Sequence, residues 1–199
     1  HTDSAPEPAA ANAFTLEGMR QGFGAEFDLD TTYLNTAAVG VPPQHVADAV
    51  RRSVEGWFSG TLSAEDFDEP IETARNAFAE LVGVGADSVA LGTSTSQLLG
   101  VVAASLPDDS RVVVPEGDFT SVSYPFAAHA ARGVRVDEVP LEDIPSAARG
   151  VDVVASSVVQ SADGRILDLD ALRKSTRGTG TRVLFDATQS LGWFDEPLD

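Results

Sequence analysis

Residues 111–139 read RVVVPEGDFTSVSYPFAAHAARGVRVDEV. A short apolar run (RVVV, 111–114) is followed by a helical stretch that passes through PFAAHAAR (125–132) and then by a second strand-like run, VRVDEV (134–139). The rhythm continues outward on both sides. Upstream lie SVAL (88–91) and a helical segment to about Leu106; downstream lie VDVVAS (151–156), the helix LDLDALRKS (167–175) and TRVLF (181–185). Apart from VRVDEV, the strand runs hold apolar residues at consecutive positions, as strands covered on both faces do. The chain is therefore expected to be α/β, with a mostly parallel sheet and helices on both faces, a three-layer arrangement.

Further upstream, Pro42 and Pro43 precede Val46, Ala49, Val50, Val54 and Trp57, the pattern of a proline-started amphipathic helix. A second helix is expected after Ser63, with Glu65 and Asp66 in its first turn, a stripe of Phe67, Ile71, Ala74, Phe78 and Leu81, and Gly83 at its end. Residues 1–18 are rich in Ala and Pro, show no clean period, and read as a disordered tail or an expression remnant, with Met19 as a native start. Residues 19–199 then form one large domain.

Composition narrows the function. The chain has 199 residues, 43% of them hydrophobic, enough for a core. It carries 31 acidic against 13 basic residues, a formal charge of -18, and no Lys/Arg run, so nucleic acid and anionic membranes are not its expected partners. With no cysteine, the chain has no thiolate metal site, disulfide or cysteine nucleophile. No stretch approaches the roughly 20 apolar residues of a membrane span. A cytoplasmic protein is the default expectation. His45 and His129 have no metal-ligand spacing around them, and no metal is expected.

In an open α/β sheet, ligands gather outside the carboxyl ends of the strands. Here those ends are polar: Gly92-Thr93-Ser94-Thr95-Ser96-Gln97 after SVAL, Pro115-Glu116-Gly117-Asp118-Phe119 after RVVV, Ser157 after VDVVAS, and Asp186 after TRVLF with Gln189 three residues on. The run 93–96 opens a helix, where free amides and the helix dipole suit a phosphate; taken in isolation, an ordinary Ser/Thr N-cap is the more common reason for such a run. Asp186 calls for a partner, either a helix N-terminus or an arginine such as Arg182, or a protonated pyridine nitrogen. Phe119 is either core or a stacking face for a flat ring.

Taken together these stretches resemble one family, the class V aminotransferases of pyridoxal-phosphate (PLP) fold type I, which also hold cysteine desulfurases, kynureninases and isopenicillin-N-epimerase-like proteins. TTYLNTAAVGVPP (31–43) is similar to the family's opening, LGTSTSQLLGVVAASL (91–106) to its phosphate loop and helix, PEGDFTSVSYPF (115–126) to its ring-stacking segment, SSVVQSADGRILDLDAL (156–172) to its next strand end and turn, and VLFDATQSLGW (183–193) to its Asp-x-x-Gln motif. The resemblance implies PLP as cofactor, with Thr95 and Ser96 on its phosphate, Phe119 stacked on its ring, Asp186 on the pyridine nitrogen and Gln189 on the phenolic oxygen. Ser157 stands where many relatives have Asn or His, and it counts as a further cofactor-site residue.

One feature departs from the pattern. The family's Schiff-base lysine comes on the order of twenty-odd residues past the glutamine, whereas this sequence runs ten residues past Gln189 and its one lysine, Lys174, sits on a polar helical stretch. The expectation is an incomplete large domain, inactive alone, of an enzyme acting on an amino acid by transamination or by lyase or desulfurase chemistry. The lysine would come from the remainder of that enzyme or from a second chain, and the family implies a homodimer. A non-catalytic PLP-fold binding or scaffold module is the competing reading. An unrelated nucleotide-binding domain has no Gly-x-Gly-x-x-Gly or Walker loop to support it.

Overall fold

The computed structural model of the chain describes residues 26–194; the expected tail at 1–18 and Met19 lie outside them. The chain divides into two units, one running to Ala74 and the other from Arg75.

The first unit holds helix α1 (Gln44–Ser59), entered through Pro43 and closed by Gly60 in the left-handed region at φ 70. Only glycine adopts that conformation without strain, so the helix stops there. A 3-10 turn (Ala64–Phe67) then leads into α2 (Asp68–Val82), which crosses the unit boundary and ends at Gly83 (φ 73). Both helices appear where their periodicity places them. Their apolar stripes are not buried, however, with Val54 55% and Trp57 80% exposed.

The second unit contains helix α3 (Thr95–Ala104), strand β1 (Arg111–Pro115), helix α4 (Thr120–Ala127), strand β2 (Arg135–Val139), the short helix α5 (Ile144–Ala147), strand β3 (Val153–Ser157), helix α6 (Leu169–Thr176) and strand β4 (Arg182–Asp186). All four strands are parallel, in the order β2-β1-β3-β4. The chain steps from β1 to β2 on one side, then crosses back to β3 on the other. Right-handed crossovers require the helices of these two steps to lie on opposite faces. The core follows this rule. Val112 and Val114 face α3 and α4 through Leu99, Ala103, Val122 and Phe126, while Val113 and Val154 face α5 and α6 through Ile144, Leu169 and Leu172. Every side chain of the VVV run is thus buried, which accounts for its unbroken apolarity.

The expected strand at 88–91 is not formed. Residues 86–88 are a 3-10 turn, and Val89 has extended angles (φ -98, ψ 117) but joins no ladder among the described residues. A strand exists only through a neighbour's hydrogen bonds, and a local apolar run cannot supply one. Conversely, the sequence reading places nothing between 139 and 151, where a 3-10 turn (Leu141–Asp143) and α5 carry Leu141 and Ile144 into the core. Among the described residues no helix is long and apolar enough to cross a membrane.

Candidate active site at the strand ends

The sheet reverses its winding between β1 and β3, and the loops leaving their carboxyl ends diverge to opposite faces, which opens a crevice at that point. The turn after β1 is fastened across the crevice by Asp118. Its Oδ2 accepts from Ser157 N (2.8 Å), and its Oδ1 accepts from Ser157 Oγ (2.5 Å) and Phe119 N (2.7 Å). Ser157 itself is 5% exposed at the last position of β3. Behind it, the buried Ser156 Oγ and Gln160 Nε2 both donate to Ser157 O.

Ser157 pairs in register with Asp186, the last residue of β4. Asp186 is half-buried, and its Oδ1 accepts from Thr188 N (2.9 Å), which starts a tight turn over 187–190. The carboxylate is met by a backbone amide rather than by the Arg182 side chain considered from sequence. Gln189 follows on this turn, its carbonyl accepting from Trp193 Nε1 (2.6 Å). Phe119 is not core: it caps α4 and is 58% exposed. Asp118, Phe119, Ser157 and Asp186 therefore form one rim, and Gln189 stands one turn beyond it.

Thr95 and Ser96 occupy the first two positions of α3, which packs against α4. Ser94 is the N-cap, its Oγ accepting from Gln97 N (3.2 Å), while Gln97 Oε1 accepts from Thr93 N (2.7 Å) and Thr93 Oγ1 (2.9 Å). The N-cap reading of this run is met by Ser94. The cap is made, yet the amides of Thr95 and Ser96 have no protein acceptor among the described residues. Among the described residues no hydrogen bond joins this helix start to the Asp118–Ser157 set.

The Asp163-Gly164 turn beyond β3 is held by Asp163, which accepts from Arg165 N (3.0 Å) and Nε (2.8 Å). These bonds lower the Asp163 carboxyl below the ordinary range and raise Arg165. Among the described residues there is no group of three or more His, Cys, Asp or Glu able to hold a metal. Asp118 is the rim residue that sequence reasoning did not single out. Its partner lies 39 residues away, and only its place after an apolar run hinted at it.

No protein-family model matches the chain. It is 28% identical over 181 residues to the uncharacterized aminotransferase YcbU of Bacillus subtilis, a match covering 85% of this chain and 48% of that protein. It is 26% identical over 191 residues to the kynureninase of Deinococcus radiodurans, with 85% and 46% covered. Among solved structures, the cystine C–S lyase C-DES in complex with its product cysteine persulfide superposes with a TM-score of 0.72 at 20% identity, over 85% of this chain and 50% of that one. The chain has the fold of the large domain of fold-type-I PLP enzymes. The cysteine desulfurase CsdA of Escherichia coli has the same large domain, at a TM-score of 0.66 and 18% identity over 81% of this chain and 46% of that one. The chain spans about half the length of the curated relatives it matches.

Proposed function

We propose that this chain is the cofactor-holding part of a PLP-dependent enzyme that acts on an amino acid, by transamination or by C–S bond cleavage. The observation that carries the reading is the half-buried Asp186 carboxylate at the end of β4, in register with Ser157 and on the rim that presents the exposed Phe119 ring. When bound, PLP supplies an electron sink for a carbanion formed beside its ring. The residues present fit such a group. The free amides of Thr95 and Ser96, at the positive end of α3, bind its phosphate. Phe119 covers one face of the ring, and Asp186 holds the proton on the pyridine nitrogen, keeping positive charge where it stabilises developing negative charge. Gln189 and Ser157 complete the set on the ring's oxygen side.

Lys174 does not serve as the cofactor's lysine. It is exposed in the last turn of α6, and a helix that returns from β3 to the start of β4 ends at the amino-end rim, away from Asp186. The reading therefore calls for an amine from the rest of the same enzyme or from a second chain, in a cytoplasmic homodimer with the site shared between subunits. The test is to incubate the purified protein with PLP, follow the visible absorbance, reduce with borohydride and map modified lysines by mass spectrometry. Saturable PLP binding without stoichiometric labelling of Lys174 is expected. Binding without turnover of any amino acid by a longer polypeptide that supplies the cofactor lysine, assayed without borohydride, would favour a scaffold role, and absence of binding would end the proposal.

A further inference from the structure

Asp118 lies in the run after β1 but has no role assigned by its strand end or by resemblance, yet its carboxylate accepts three hydrogen bonds, two from Ser157 across the switch point and one from the adjacent Phe119 N. We propose that Asp118 is a positioning residue: it fixes Phe119 as the ring-facing side chain and commits the Ser157 hydroxyl to accepting hydrogen bonds, an inference that rests on the PLP reading above. Phe119 is 58% exposed, so core packing does not hold its ring in place. Its backbone is held instead by the Asp118 carboxylate at its N–H and by Val122 N, which donates to its carbonyl (2.8 Å).

The second consequence is one of donor and acceptor count. An ionised carboxylate only accepts, so the hydroxyl proton of Ser157 lies toward Asp118, and the Ser157 N–H is directed there as well. Ser157 is left with lone pairs and no donor to offer. Any oxygen that needs a donor on this side of the site must look to another side chain, such as Gln189 on the turn after β4. Asp118→Asn keeps the size of the side chain but replaces one acceptor oxygen with an amide nitrogen that cannot accept from Ser157 N or Phe119 N.

The test compares PLP affinity, by absorbance titration, for the full chain, Asp118→Asn, Phe119→Ala and the double variant, together with the visible circular dichroism of bound PLP. Asp118→Asn should weaken PLP binding about three- to tenfold, the range expected for a lost aromatic stack, and alter the dichroic band. The double variant should bind no more weakly than Phe119→Ala alone, since both changes act through one ring; multiplied effects overturn the inference. Amide exchange at Phe119 and Ser157 should quicken in Asp118→Asn while Val113 is unchanged, and unaltered exchange also overturns it. Should Asp118→Asn fail to fold, Ser157→Ala, which removes the hydroxyl bond alone, takes its place, and wild-type dichroism there counts against the proposal. If the unaltered protein binds no PLP, the functional reading falls, and the exchange measurement alone decides whether Asp118 positions Phe119.

Discussion

Asp186 was legible from sequence because its position is chemically expensive: a carboxylate at the end of a buried strand needs a partner, and few arrangements supply one. Its pairing with Ser157 turns that expectation into a place on the rim. Asp118 was not legible in the same way, since nothing local separates it from an ordinary turn aspartate. Its two bonds from Ser157 exist only once β3 has come to lie beside β1. Phe119 was open between core and a stacking face, and its exposure rules out the core. At this scale the role proposed for Asp186 predicts that, in the complete enzyme, Asp186→Ala retains PLP through the proposed phosphate contacts at Thr95 and Ser96 but loses at least about a hundredfold in kcat, the scale seen when one preorganised electrostatic partner is removed. Steady-state kinetics on the amino-acid substrate and a PLP titration separate the two effects. Unchanged kcat with bound PLP would remove Asp186 from the chemistry.

Elements were read best where local pattern and tertiary burial agree. β1, β3 and β4 were visible as apolar runs because both sheet faces are covered, and α1 and α2 because their apolar period and end signals coincide. The run at 88–91 shows the limit: its residues suit a strand, but strand formation depends on a neighbour that no local pattern encodes. That the stripes of α1 and α2 are exposed was equally unreadable, because periodicity marks a face and not whether a partner meets it. Two predictions belong to elements. Phe126, fully buried between α4 and the sheet, fills the core beneath the site, so Phe126→Ala should cost about 3–5 kcal/mol in urea unfolding. The start of the turn before α2 is pH-sensitive. Ser63 N and Oγ donate to Asp66, at 2.7 and 3.0 Å, and lower its carboxyl below the ordinary value. The folded value lies below the unfolded one, so this contribution is present above the ordinary carboxylate range and is lost as pH falls through the lowered value. Asp66→Asn should therefore flatten the acid limb of helicity measured by far-ultraviolet circular dichroism.

For the whole molecule the dominant electrostatic fact is the formal charge of -18, which acts against compaction at neutral pH. Two effects compete when salt is added. Screening weakens the general repulsion, and it also weakens ion pairs such as Arg111–Asp137 (3.1 Å) and Arg51–Asp48 (2.7 Å), whose side chains are about half exposed. Exposed pairs of this kind contribute little, because water already screens them and their side chains lose freedom in forming them. Repulsion should therefore win. Raising NaCl from about 0.05 to about 1 M, where the Debye length falls to about 3 Å, should raise the thermal midpoint at pH 7. Chloride is the salt to use, since sulfate would also strengthen apolar burial and confuse the cause. The same reasoning fixes the pH dependence. As pH falls toward the sequence pI of about 4.3, protonation removes net charge, so the midpoint in low salt should first rise and its salt dependence should shrink. Further acidification then protonates carboxylates that the fold holds low, Asp66 and Asp163 among them, and their contribution disappears as pH passes below their lowered values. The expected profile is a maximum at mildly acidic pH, with a strong salt effect only on its neutral side. A midpoint that falls with NaCl at pH 7 would show that the surface ion pairs, and not the net charge, govern the stability of this chain.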